Sequence, residues 1–259
     1  MKRDTLRSFQ LLCTGLLVVG ALSLGSCQSG SANTRTSLLI ASDLDNMPFA
    51  GVAEDGTPIG RDVEMMQRLC ERAGFALSWS RMPFYQLLPK VEDGRVDVVC
   101  ATLGMTEERA QRVLFVGPYF HTQIAVVVRA GEGEPRSIIE LDQLSVSGAA
   151  ATTSQRAIMR HLPGSTGVFE NKTGGSARYR LLSREIDAAV MDGPAADALV
   201  AQSAGKLRRL LEPLAWERYA LALPKTHTEV AARLRQALFE MESNGELKEL
   251  DRRHGLADN

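Results

Sequence analysis

Arg109 is the residue whose placement most needs explaining. It lies in "GMTEERAQRVLF" (104–115), where Thr106 reads as a helix N-cap and Glu107 and Glu108 occupy the first turn. A capping box would set Glu or Gln at the third helical position, and this chain sets Arg109 there. A cation beside the positive end of a helix dipole is disfavoured by about 0.3–1 kcal/mol when exposed. The position therefore calls for an anion: Glu107 or another surface acid of the chain, or a bound anionic ligand. Two further groups are placed where chemistry is possible. Thr152 and Thr153, in "AATTSQ", open a helix, where N-capping is the ordinary role. Asp192 ends "DAAVMD", and the carboxyl ends of parallel strands line ligand crevices; capping the helix that follows is the alternative.

These residues need rigid elements behind them, and the hydrophobic pattern supplies strands alternating with helices. "SLLIAS" (37–42) reads as a buried strand. "RDVEMMQRLCERAG" puts Val63, Met66, Leu69, Cys70 and Ala73 on one helical face, with Gly74 as C-cap. "FALSWSRM" reads as a strand and "YQLLPKVEDG" as a short helix that Pro89 must kink or start late. "RVDVVCATL" and "QIAVVVRA" read as two further buried strands. After the Gly/Pro break "GEGEP" (131–135) a second series begins. Strands "SVSGAA", "TGVFEN", "DAAVMD" and "LRRLLEP" are interleaved with helices "TSQRAIMRHL", "GSARYRLLSRE" and "PAADALVAQSA". "RYALALP" is extended. "TEVAARLRQALFEMESNG" places Val230, Leu234, Leu238 and Met241 on one stripe of a closing helix. The expectation is two α/β units with parallel-rich sheets covered on both faces, and a ligand cleft between them.

The N-terminus reads as an export signal. Lys2, Arg3 and Arg7 precede the apolar run "LLCTGLLVVGALSL" (11–24), which is too short for a membrane span, and "LGSC" follows. Small residues before Cys27 resemble a bacterial lipobox, in which that cysteine is lipidated and becomes the new N-terminus. Polar residues 28–36 suit a flexible tether. Loss of residues 1–26 moves the net charge from −1 to about −3. With no basic block and no RNA-binding aromatic motif, nucleic acid is not an expected partner. Cys70 and Cys100 would then remain, able to pair in an exported protein or to serve as small buried hydrophobes. No Cys or His cluster has metal-site spacing, "TGGSAR" lacks the rest of a phosphate loop, and no "GxSxG" elbow occurs. No metal or cofactor is expected.

"GRVDVVCATLGMTEERAQRVLFVGPYF" (94–120) is the most specific stretch, and it resembles the signature of the polar amino-acid solute-binding proteins of ABC importers, extracellular solute-binding protein family 3. "DLDNMPFAGVAEDGTPIGRDVEMMQRL", "AATTSQ", "REIDAAVMD" and "ESNGELKELDRRHG" extend the resemblance over 37–255. It implies a two-lobed periplasmic-binding-protein fold of type II. A signal peptide would occupy 1–26 and a tether 27–36. Lobe 1 would be built from 37–122 and a return segment 221–259, and lobe 2 from 123–220. Arg109 would bind a ligand α-carboxylate as a planar bidentate pair, helped by helix N-terminal amides and the turn "ATLG". Asp192 would take the α-ammonium. Thr102, Gly104, Thr152 and Thr153 would contribute hydroxyls or amides, Gly104 its amide only. Phe84 matches one aromatic wall. Asn46 stands where the other wall is usually aromatic, and Asp43 matches a position that some binders of basic amino acids use. The implied function is a monomeric, exported, lipid-anchored receptor that delivers an amino acid or related amine-bearing acid to an ABC permease. The alternatives are a periplasmic cyclohexadienyl dehydratase on the same fold, with Glu170 and Asp43 as candidate acids, and a receptor for a signalling partner.

Overall fold

The structure is a computed structural model, described here for residues 36–170 and 175–256. The expected signal peptide, Cys27 and most of the tether lie outside the described residues. In the first half, β1 (Ser37–Ser42), β2 (Gly51–Val52), β3 (Pro58–Ile59), α1 (Arg61–Ala73), β4 (Ala76–Arg81), α2 (Phe84–Glu92), β5 (Val98–Val99), α3 (Glu107–Ala110) and β6 (Leu114–Arg129) follow one another. In the second half, β7 (Ser145–Ala149), α4 (Thr153–His161), β8 (Thr166–Glu170), α5 (Gly175–Leu182), β9 (Ala188–Asp192), α6 (Gly193–Ala201), β10 (Leu207–Arg209), β11 (Ala215–Leu223), α7 (Thr228–Ser243) and α8 (Glu246–Arg253) complete the chain. No described helix is long and apolar enough to cross a membrane.

One curled sheet runs in the order β4-β1-β5-β11-β6-β9-β7-β8, with β10 added to β6. Its ends are two parallel triplets, β4-β1-β5 and β9-β7-β8, and the antiparallel strands β11 and β6 join them. Each triplet carries apolar side chains on both faces, as expected of a covered parallel sheet. Leu38 and Ile40 of β1 pack with Leu69, Leu234 and Leu250 of α1, α7 and α8, while Ala41 turns to Leu87 and Val91 of α2. In the second lobe Val146 packs on Ile158 of α4, and Ala189 faces Leu181 and Leu199 of α5 and α6. This is the two-lobed α/β fold, with lobe 1 assembled from both ends of the chain.

Local signals hold where they are strongest. α1 buries Val63, Met66, Leu69, Cys70 and Ala73 and ends on Gly74 in the left-handed region (φ 75°). There the Gly74 and Phe75 amides donate to the Glu71 and Cys70 carbonyls. Three expectations change. α2 begins at Phe84 and runs through Pro89 to Glu92, so Pro89 neither delays nor ends it. The segment "QIAVVVRA" is the second half of a 16-residue strand, β6, that already begins at Leu114. The strand crosses Pro118 because the register with β11 shifts between Tyr219 and Leu221: Val116 pairs with Leu221 and Phe120 with Tyr219, so Pro118 is never asked for a ladder bond. Of "LRRLLEP", Leu207–Arg209 alone pairs. Cys70 and Cys100 are unpaired and buried in the lobe 1 core, where burial pushes the Cys70 thiol up to about 12.

Candidate ligand-binding cleft

A cleft of about 930 Å³ opens between the lobes. Its wall contains all nine candidate ligand residues: Asp43, Asn46, Phe84, Thr102, Gly104 and Arg109 from lobe 1, and Thr152, Thr153 and Asp192 from lobe 2. Several turns at its rim hold non-glycine residues in the left-handed region, among them Leu44 (φ 49°), Thr102 (φ 47°) and Ala151 (φ 63°). For β-branched Thr102 this is a strained backbone, of the kind that collects at binding sites. The Asn46 side-chain amide donates to the Thr102 hydroxyl across 2.9 Å and fixes that turn.

Thr106 caps α3 as read from the sequence, its hydroxyl accepting the Arg109 amide at 3.2 Å. The Arg109 side chain is 3% exposed. Its Nη1 donates to the Gly104 carbonyl at 2.8 Å and its Nη2 crosses the cleft to the Ala151 carbonyl at 3.2 Å. Its Nε has no hydrogen-bond partner among the described residues, and the guanidinium lies 6.0 Å from the Phe84 ring centre. Among the described residues Arg109 makes no ion pair, so neither Glu107 nor another surface acid takes its charge. Burial, with the like charge of Arg156 second, pushes its pKa down to about 10. Among the described residues no carboxylate is in ion-pair contact with it, although the Glu217 and Glu108 charges favour its ionised form.

The lobe 2 residues start α4 and α6. Thr152 holds the N-cap position of α4, yet its hydroxyl donates backwards to the Ala149 carbonyl at 2.6 Å. Thr153 is the first helical residue, and its hydroxyl donates to Glu217 Oε1 at 2.5 Å. Neither threonine side chain caps α4, contrary to the ordinary role expected for them. Asp192 sits at the N-cap position of α6 without a side-chain capping bond, so its carboxyl is left to the cleft. Burial raises its pKa, while Tyr219 and Glu217 work in the opposite direction.

Asp43, Asp45 and Arg81 also line the cleft, and Arg81 Nε donates to the Asp43 carbonyl at 3.2 Å. Burial pushes the Asp43 carboxyl up to about 6. Glu170, on the opposite lobe, accepts from Arg180 at 2.9 Å. Outside the rim, Arg156 of α4 meets Glu108 of α3 at 2.9 Å.

Glu217 is the residue that sequence reasoning missed. It lies on β11, one residue before the stretch "RYALALP" read as extended, and it is buried. A Cβ on Gly104 would stand 1.9 Å from its Oε1. The absent side chain at Gly104 was the available signal: the room it leaves is filled by this carboxyl. No described cluster of His, Cys, Asp and Glu is arranged to hold a metal ion.

Comparison with known proteins finds relatives over most of the chain. A family model described as bacterial extracellular solute-binding proteins, family 3, matches residues 38–257. An L-arginine-binding protein of Pseudomonas aeruginosa is 23% identical over 91% of this chain and 94% of its own length. Among solved structures, an ancestral arginine-binding protein bound to arginine superposes with a TM-score of 0.77 at 26% identity, covering 85% of this chain and 99% of that one. An ancestral amino-acid-binding protein described as a precursor of cyclohexadienyl dehydratase shares the fold, with a TM-score of 0.75, 22% identity, and coverage of 84% and 94%.

Proposed function

The chain belongs to the bacterial extracellular solute-binding proteins, family 3, and we propose that it is the extracytoplasmic receptor of an ABC importer, closing its lobes on an α-amino acid. One observation carries this reading: Arg109 is buried at the cleft without an acid partner, across from a lobe 2 carboxyl, Asp192, that does not cap its helix. A buried, uncompensated charge is costly, and a ligand carboxylate meets it as a bidentate pair. Asp192 then takes the ammonium, and Thr152, Thr153, Thr102 and the Gly104 amide surround the same zwitterion. Phe84 and Asn46 flank the side-chain end, and Asp43 and Asp45 favour a cationic side chain there. The relatives named for arginine fit that preference.

In this reading residues 37–122 and 221–259 form one lobe and 123–220 the other, with β6 and β11 as the hinge. The protein is exported, lipidated at Cys27 and held at the membrane beside its permease as a monomer. It is a receptor and not an enzyme. Of the two candidate acids for a dehydratase, Glu170 is engaged by Arg180 and Asp43 lines the cleft, so turnover of prephenate is the discriminating test. A thermal-shift screen of the twenty amino acids tests the function, since a ligand at 100 times its Kd stabilises the protein by about 2.7 kcal/mol. L-arginine is expected to shift wild type strongly and Asp192→Asn far less. Product formed from prephenate with no amino-acid shift would overturn the receptor reading. Fatty-acid labelling lost in Cys27→Ser tests the anchor.

A further inference from the structure

Three of the four buried side-chain polar atoms that lack a hydrogen-bond partner among the described residues belong to one constellation: Arg109 Nε, Glu217 Oε2 and the Tyr219 hydroxyl. Such atoms are rare in folded proteins and each asks for a reason. Glu217 is the member whose charge acts on both others. Its Oε1 accepts from the Thr153 hydroxyl and occupies the space a side chain on Gly104 would fill. Asp192, the cleft carboxyl, lies on the strand across β6, opposite Ile124 where Glu217 is opposite Thr122, and the Asp192 and Arg109 charges both act on Glu217. Glu217 itself is not on the cleft wall; it acts from behind Thr153 and Asp192.

We propose that Glu217 is a positioning residue that carries one proton in the empty protein and gives it up when a ligand's ammonium seats on Asp192, so that ligand binding releases a proton. The inference rests on the amino-acid reading above. Two carboxyls buried side by side do not both ionise readily, and they hold a proton between them. Because Oε1 is taken by the Thr153 O–H, the proton resides on Oε2, where it donates to Asp192. Burial first and the Asp192 charge second push the Glu217 carboxyl up to about 8, against the opposing pull of Thr153 and Arg109.

The other groups facing the pair do not replace this proton. Tyr219, on the same strand, is itself held neutral by burial. Thr122, opposite Glu217 on β6, carries no charge. Arg156 and Glu108 act on Arg109 with opposite signs. An arriving ammonium brings the missing positive charge. The O–H of Glu217 then breaks, its proton leaves through Asp192 to the buffer, and no bond to carbon changes. The ionised carboxylate still accepts from Thr153 and now answers Arg109, which holds the two lobes together more firmly than the neutral acid does. With L-arginine the ligand's net charge is positive, so the charge brought in favours loss of the proton.

Calorimetric titration of the full chain with L-arginine near pH 7, in buffers of different ionisation enthalpy, counts the protons. Wild type is expected to release close to one, and its Kd to fall about tenfold per pH unit between about pH 6 and 7.5. Glu217→Gln keeps an acceptor for Thr153 and is expected to release none, with a flat Kd. Asp192→Asn is expected to release fewer than wild type. Zero release by wild type overturns the proposal.

A second arm needs no ligand. The folded carboxyl keeps its proton to about 8 and the unfolded one loses it near 4.5. Empty wild type must therefore lose urea stability relative to Glu217→Gln as pH rises from about 4.5 to 8. A pH-independent difference overturns the proposal whatever L-arginine does. A sloping difference with no heat from L-arginine overturns the ligand half and places the fault in the amino-acid reading, because the stability arm reports the Glu217–Asp192 pair without any ligand.

Discussion

Arg156 of α4 and Glu108 of α3 form an ion pair of 2.9 Å that joins the two lobes outside the cleft. Arg156 Nη1 also reaches the Thr106 hydroxyl at 3.4 Å. The same two elements carry Thr153 and Arg109, so the pair sits directly outside the ligand site. The residues of the cap that starts α3 thus also hold the lobe opposite.

Both side chains of that pair are well exposed, at 39% and 61%, so the pair contributes only about 0.2–1 kcal/mol and is screened by salt. Arg156→Ala is expected to leave the thermal midpoint of the empty protein within about 0.5 kcal/mol of wild type. Ligand dissociation should quicken a few-fold at low salt and much less at 1 M salt. Stopped-flow dissociation at the two ionic strengths measures this, and an unchanged low-salt rate removes the pair from any part in closure.

Arg109→Met removes an unpaired buried cation and frees two carbonyls, those of Gly104 and Ala151. These effects oppose each other, so the empty protein should change stability by no more than about 1 kcal/mol. L-arginine should give no thermal shift with this variant. Arg109→Lys should restore binding only in part, because an ammonium lacks the planar fork. A large fall in the empty protein's midpoint would make Arg109 a structural residue instead.

Gly104→Ala places a methyl 1.9 Å from Glu217 Oε1 and 2.9 Å from Thr153 Cγ2. The carboxyl must leave its seat, at a cost of about 1–3 kcal/mol to the closed arrangement, and affinity should drop accordingly. Combining it with Glu217→Ala should recover part of the loss. A double-mutant cycle on Kd gives the coupling, and strict additivity would show that the two residues act apart.

Asp43 supplies a pH test of side-chain selectivity. Its carboxyl, pushed up to about 6 by burial, is ionised above that pH and neutral below it. An attraction for a cationic side chain is thus present at pH 7 and lost as pH falls through 6. The ratio of the L-glutamine Kd to the L-arginine Kd should shrink between pH 7 and 5. Both ligands share the α-ammonium and α-carboxylate, so effects at Asp192 and Glu217 largely cancel in the ratio. A constant ratio would exclude Asp43 from side-chain recognition.

Much of this was legible from the chain because local and global signals agree. The Gly74 cap, the α1 stripe and the Val-rich strands fall where their residues put them, since each pattern is also what the core needs. Thr102, Gly104 and Arg109 come together because one motif sets their spacing, and the other six candidates join them from separate motifs at the carboxyl ends of the parallel strands β1, β4, β7 and β9. What stayed hidden depends on pairing between distant segments. The length of β6 is set by a register shift opposite Ala220, and no periodicity within Leu114–Arg129 reveals a gap that accommodates Pro118. Glu217 is hidden for the same reason: its neighbours Thr153, Gly104 and Asp192 are remote in sequence, and a lone Glu in an extended stretch reads as solvated.

The origin of lobe 1 in both ends of the chain has a consequence for biogenesis. Leu38, Ile40 and Leu69 find their partners in Leu234, Leu238 and Leu250, so the first segment to leave the ribosome cannot bury its apolar faces until the last has arrived. Contacts of such long sequence separation form late. A chain read as passing through an export channel must stay unfolded until it is across, and this topology delays lobe 1 until the C-terminal helices are available. Chains truncated before Thr228 should accordingly show α1 fully open to protease, while the second lobe, whose cores are drawn from 124–214, keeps its protection.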